Sequence, residues 1–199
     1  MKEIIIATKN PGKAREFKRV FDDEHFEIKT LLAFPDFPEI RETGKTFEEN
    51  ATLKAHAVME RFNLPTIADD SGLQVDALYG RPGIYSARYA GDHNDAANNA
   101  KLLSELGGVP KEKRTAHFVS TLVFANPKND KDLVVEGKVD GIIGAFPEGD
   151  DGFGYDPLFY VPELGKTMAQ ITVDEKNQIS HRGQAIKKLE KQWQDWIIW

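Results

Sequence analysis

An apolar run over residues 3–8, with isoleucine at 4, 5 and 6, predicts a short strand covered on both faces. Asn10-Pro11-Gly12 follows: Asn10 can cap a helix, Pro11 suits its first position, and Ala14, Phe17, Val20 and Phe21 recur at helical spacing. Thr46 and Glu49 form a capping box ahead of Phe47, Ala51, Ala55, Val58 and Phe62, predicting a second helix that stops at Asn63-Leu64-Pro65. Thr66-Ile67-Ala68 predicts a short buried strand ending at Asp69-Asp70-Ser71-Gly72. A third helix is predicted from about 95 to 106, before Gly107-Gly108. Two long strands are predicted over 115–125 and 133–143, and a last helix from Ser180 with Ile186, Leu189, Trp193 and Ile197 on one face. Strands joined by a short turn pair antiparallel, while the early strand–helix units imply parallel pairing, so the class is α/β with a mixed sheet. No repeat, low-complexity tract or linker interrupts the pattern, and 1–199 reads as one domain.

The composition bounds the chemistry. A chain of 199 residues with 40% hydrophobic side chains can build a substantial core, since proteins of this size bury about 70% of their unfolded surface. The absence of cysteine excludes disulfides, thiolate metal sites, cysteine nucleophiles and iron–sulfur clusters. The opening apolar run is too short for a signal or a membrane span, so the expectation is a soluble cytoplasmic protein. A net charge of −6 argues against extended nucleic acid or an anionic membrane as partners, but leaves room for a local cationic pocket.

Several segments could form such a pocket. Thr8-Lys9-Asn10-Pro11-Gly12-Lys13 lies between a strand and a helix, where first-turn N–H groups can meet an anion. Lys9, Lys13 and Arg15 have the sign disfavoured at that end of the helix dipole, and a bound phosphate would resolve the conflict. The plain alternative is a capped helix with solvated lysines, for the Walker pattern is absent. Ser180-His181-Arg182 repeats the conflict: Arg182 could fork onto phosphate or carbonyl oxygens and His181 could read a base edge, or both could face solvent. Lys54 falls about 20° from Phe47 around the helix, inside the apolar arc beside Asn50, so it must snorkel or meet an anion.

Asp69 and Asp70 cannot both be buried and ionised without a cation. Mg²⁺ is the natural partner in a cysteine-free site, with Glu42 as a further ligand, and an Asx-type turn is the alternative. Gly152-Phe153-Gly154-Tyr155-Asp156-Pro157 sets a ring between two glycines, suited either to stacking on a planar base or to simple anchoring. Residues 83–91, with Tyr85, Arg88 and Tyr89, could cover a site or pack it.

Taken in order, Ala7-Thr8-Lys9-Asn10-Pro11-Gly12-Lys13 with Glu16, residues 42–51 with Lys54-Ala55, Ile67-Ala68-Asp69-Asp70-Ser71-Gly72-Leu73, residues 81–89, Gly152-Phe153-Gly154-Tyr155-Asp156-Pro157 and Ser180-His181-Arg182-Gly183 span nearly the whole chain. This set resembles the pyrophosphatases of deaminated purine nucleoside triphosphates, the Ham1-like or inosine/xanthosine triphosphatase family. The resemblance implies an elongated mixed sheet flanked by helices, two lobes with the active site in the cleft between them, and a homodimer. It implies hydrolysis of dITP, ITP or XTP to the monophosphate and pyrophosphate with one or more Mg²⁺ ions per subunit. Thr8, Lys9, Asn10, Pro11, Gly12, Lys13 and Lys54 would hold the triphosphate. Asp70 would accept the proton of the attacking water and bind metal with Glu42 and Asp69, and Ser71 would touch the nucleotide. Phe153, Gly154, Tyr155 and Asp156 would form the base pocket, with Lys176, His181 and Arg182 completing phosphate and base recognition. One departure concerns the metal shell: many members carry two glutamates before Thr-Gly, and here Arg41 precedes Glu42. Two other functions compete with this one. They are a Maf-like pyrophosphatase of modified pyrimidine triphosphates and a nucleotide-binding module without turnover.

Overall fold

The computed structural model describes residues 2–20, 26–91, 94–193 and 196. Its strands are β1 (Lys2–Ile6), β2 (Phe26–Thr30), β3 (Thr66–Val75), β4 (Thr115–Ala125), β5 (Leu133–Ile143), β6 (Phe159–Val161) and β7 (Lys166–Thr167). They hydrogen-bond in the order β2-β1-β3-β4-β5-β6-β7. β1 is parallel to β2 and β3, whereas β6 is antiparallel to β5 and β7, so the sheet is mixed. The helices are α1 (Pro11–Val20), α2 (Phe47–Phe62), α3 (Asp95–Glu105), α4 (Val173–Ile179) and α5 (His181–Glu190). Among the described residues no helix is long and apolar enough to cross a membrane.

The chain divides into two compact units. The first holds Met1–Asp70, Ser120–Gly137 and Arg182–Trp199, and the second Ser71–Val119 and Lys138–His181. In the first, side-chain alternation along the strands builds two cores. Ile4, Ile6, Ile67, Leu122 and Phe124 pack with Phe17 of α1 and with Ile186 and Leu189 of α5. Ile5, Ala68 and Val123 pack on the opposite face with Ala51, Ala55 and Val58 of α2. The consecutive isoleucines thus reflect a strand with helices on both sides. α2 starts as its sequence predicts, the Thr46 hydroxyl accepting the Glu49 N–H at 3.1 Å and the Glu49 carboxylate accepting the Lys45 N–H at 2.6 Å. It ends at Asn63, whose φ of 53° is left-handed.

The second unit packs Leu73, Leu102, Leu106, Phe118, Leu158 and Phe159 into one core. Gly141 of β5 lies against the Phe159 ring, where an added Cβ would come within 2.5 Å of ring carbon.

Some elements differ from expectation. β3 does not end at Asp69 but continues to Val75, because cations from neighbouring elements meet both aspartates and the polar pair stays in extended backbone. α5 ends at Glu190, yet Trp193 beyond it remains in the core. Phe21 and Ile197 lie outside the described residues, as does the side chain of Val20. β2, β6 and β7 are too short to impose a period on the sequence. α4 did carry a legible signal, a capping box between Thr172 and Glu175.

Gly141→Ala is expected to lower stability by about 1–3 kcal/mol through overpacking, read as a reduced urea midpoint with an unchanged m-value.

Candidate active site

Alternation along β3 sends the two adjacent aspartates to opposite faces of the sheet. Asp69 follows Ile67 onto the α1/α5 side and Asp70 follows Ala68 onto the α2 side. On the first side, Asp69 Oδ1 accepts the Ser120 hydroxyl at 2.6 Å, and Oδ2 meets Lys13 Nζ at 2.7 Å and Arg182 Nη2 at 3.2 Å. The Arg182 Nη1 donates to Glu16, itself buried. Arg182, 1% exposed, heads the largest fully buried side chains among the described residues. Burial alone would raise the Asp69 pKa, but the Arg182 guanidinium and the Lys13 ammonium hold it well below the usual carboxylate range. For Lys13, burial outweighs the pull of Asp69 and lowers the pKa.

On the other side, Lys54 Nζ lies 2.8 Å from both Glu42 Oε1 and Asp70 Oδ1. Its place in the apolar arc of α2 is therefore explained by anions and not by snorkelling. Asn50 donates to Asp70 Oδ2 at 3.3 Å while its own Oδ1 accepts the Gly44 N–H at 2.8 Å, which fixes the amide. Burial, reinforced by Glu42, raises the Asp70 pKa despite Lys54 and Lys13. Lys54 is lifted the other way: burial disfavours its charge, but Asp70 and Glu42 more than compensate.

The two aspartates meet different partners: Asp69 engages Lys13, Arg182 and Ser120, while Asp70 engages Lys54 and Asn50. Glu42 and Asp70 are the carboxylates that converge. Arg182 and Lys13 meet Asp69 and Glu16, and the Lys54 ammonium meets both Glu42 and Asp70.

The Thr8–Lys13 loop largely satisfies itself. Asn10 Oδ1 accepts the N–H groups of Gly12 at 2.8 Å and Lys13 at 3.1 Å, and Thr8 Oγ1 accepts that of Asn10 at 3.1 Å. Pro11 opens α1, whose first turn carries no acidic residue. Lys9 Nζ turns toward the 35–37 segment, donating to the Phe37 carbonyl at 2.5 Å.

In the second unit, Asp156 Oδ2 accepts the Phe153 N–H at 2.9 Å and the Lys176 ammonium at 2.6 Å. The same ammonium sits 4.7 Å from the Phe153 ring centroid. Tyr155 is buried, which pushes its pKa up, and its hydroxyl donates to the Ser86 carbonyl at 2.8 Å. His181 stacks on Phe118 with centroids 4.8 Å apart. Ser71 lies half-buried in β3. His181 thus belongs to the second unit and Arg182 to the first.

The Ham1 family profile matches residues 4–192. The chain belongs to the Ham1 family. It is 59% identical over 196 residues to the dITP/XTP pyrophosphatase of Geobacillus kaustophilus (strain HTA426), a match covering 98% of this chain and 96% of that protein. The Ham1 protein of Staphylococcus aureus superposes with a TM-score of 0.86 at 46% identity, covering 98% of this chain and all of that one. A HAM1 protein from Coxiella burnetii gives 0.87 at 38% identity over the same share of this chain and 100% of its own.

Within this Ham1 fold, Ser120 and Phe118 are partners that sequence reasoning did not single out. Ser120 had a signal, a hydroxyl in the middle of an apolar strand; Phe118 looked like any other core aromatic.

Removing one partner of a buried ion pair strands the other. Arg182→Met is therefore expected to destabilise the protein by about 3–5 kcal/mol in urea titration. Because the folded Asp69 pKa is depressed, its stabilisation is present above the ordinary value of 3.8 and is lost as pH falls from there toward the folded value. That acid slope should be shallower in Arg182→Met.

Proposed function

We propose that this chain hydrolyses deaminated purine nucleoside triphosphates, dITP, ITP and XTP, to the monophosphate and pyrophosphate, clearing the nucleotide pool before such bases enter DNA or RNA. The name carried by a relative 59% identical over nearly the full length of both chains supports the reaction. The physical observation that carries it is the Lys54–Glu42–Asp70 group, a buried carboxylate base beside a cation, with a second carboxylate converging on the same ammonium.

Those residues fit a hard divalent ion. Among the described residues no three acidic or histidine groups form a ready-made metal site, but Mg²⁺ is commonly held by one or two carboxylates together with substrate phosphates. Glu42 and Asp70 would hold it, and both are oxygen donors already drawn to one cation. When bound, Mg²⁺ would supply charge to the phosphates and acidify water.

The chain's own residues do the rest. Asp70, oriented by Asn50 and Lys54, accepts the proton of the water that attacks the α-phosphorus. Lys54 and Lys13 stabilise the charge that develops on non-bridging oxygens and on the departing pyrophosphate. Asp69 and Arg182 position Lys13. In the second unit, Phe153 offers its face to the base and Lys176 a donor beside it. A 6-oxo purine accepts from such a donor, whereas the 6-amino group of adenine sets donor against donor; an unpaired buried donor costs roughly 1–3 kcal/mol.

We read the protein as a cytoplasmic homodimer. Exposed Tyr79 and Tyr85, the latter under Arg88 at 5.2 Å, support an interface in the second unit. Sedimentation equilibrium should give twice the chain mass of 22.4 kDa.

With Mg²⁺, pyrophosphate release from dITP and XTP should exceed that from dATP and from modified UTP or CTP by about 10- to 100-fold in kcat/KM. A preference for the modified pyrimidines would move the assignment to the Maf-like reaction. Asp70→Asn should lower kcat by roughly 10²- to 10⁴-fold while nucleotide binding persists; unchanged turnover would sink the assignment. Asp70 acts ionised, so the rate should fall once pH is low enough to protonate it, and Asp70→Asn should lack this limb.

A further inference from the structure

Phe153 is held from both sides by carboxylates. Its own N–H donates to Asp156, and the next amide, Gly154 N–H, donates to Asp95 Oδ2 at 2.8 Å. The Gly154 carbonyl in turn accepts Asn99 Nδ2 at 2.9 Å. Asp95 and Asn99 are four residues apart on α3, so one helical face grips both peptide groups of a glycine whose φ is 63°. These three hydrogen bonds restrain the backbone that carries the Phe153 ring.

Stability alone does not explain Asn99. Its Oδ1 is buried with no hydrogen-bond partner, a condition that costs folding free energy and that an apolar side chain of similar shape would avoid. The neighbouring Asn98 shows the contrast, being satisfied at both ends by the Ala90 N–H and the Ala87 carbonyl.

We infer that Asp95 and Asn99 are positioning residues that clamp the Gly154 peptides and so hold Phe153 in the orientation that stacks a purine. This inference rests on the assignment of the 153–156 loop to the base. It makes α3, which touches no phosphate group in the proposed reaction, a determinant of base selection. The clamp acts on recognition of the base and leaves Asp70 chemistry alone, so its loss appears in KM and in discrimination between bases.

The test compares wild type with Asp95→Ala, Asp95→Asn and Asn99→Leu in two measurements. Steady-state hydrolysis of dITP should show KM raised roughly five- to tenfold in Asp95→Ala and Asn99→Leu, as for one lost hydrogen bond, with kcat within about threefold. Asp95→Asn, whose amide oxygen still accepts, should stay within about twofold of wild type, and Asn99→Leu should melt no lower than wild type. Amide hydrogen exchange at Gly154, which needs no nucleotide, should accelerate roughly tenfold in Asp95→Ala and not in Asp95→Asn. Unchanged dITP KM in both Asp95→Ala and Asn99→Leu, or a loss confined to kcat, would overturn the clamp. Absence of dITP turnover in wild type would overturn the proposed reaction instead, and Gly154 exchange would then decide the clamp by itself.

Discussion

The first unit depends on a charge buried in its middle. A guanidinium removed from water is tolerated only when its donors are matched, and Arg182 meets that condition by engaging Asp69 and Glu16 at once. The match is mutual, since Asp69 stays ionised at full burial because Arg182 and Lys13 surround it. Four segments, α1, β3, β4 and α5, supply the members of this cluster. Their mutual neutralisation leaves Lys13 at the edge of the cluster, 17% exposed on its side chain, as the member able to meet another anion.

The strand pleat turns one dipeptide into two devices. Asp69 joins the cluster of Lys13 and Arg182. Asp70, one residue on and facing the other way, meets Lys54 beside Glu42, and burial raises its pKa despite the neighbouring ammonium groups. A single-residue slip in the register of β3 would exchange the two environments. The parallel pairing of Ile5 with Thr66 and Ile6 with Ile67 therefore sets the chemistry as well as the fold.

Much of this was legible in the residues. Helical periodicity placed Lys54 on the buried side of α2, and the capping box placed the start of that helix. The class and the mixed sheet followed from the order of elements. The end of β3 was misread because two aspartates in a row carry the statistics of a turn, and what overrides those statistics lies 51 and 113 residues further along, in Ser120 and Arg182. Adjacency in sequence is opposition in a strand, so the two aspartates expected around one metal meet different side chains. Asn99 was invisible, since its function depends on which carbonyl its amide reaches and no periodicity encodes that.

The span between Glu16 and Arg182, 166 residues, has a consequence for how the molecule is made. During synthesis, Asp69 and Glu16 emerge long before their guanidinium, and the first unit is drawn from three separate stretches of chain. Until α5 leaves the ribosome, closing that unit would leave Asp69 with Lys13 and Ser120 alone and Glu16 without the guanidinium it meets in the finished fold. The second unit can complete its segments once residue 181 has emerged, while the first must wait for the final helix. The arginine at the centre of this cluster is thus the last of its members to be synthesised.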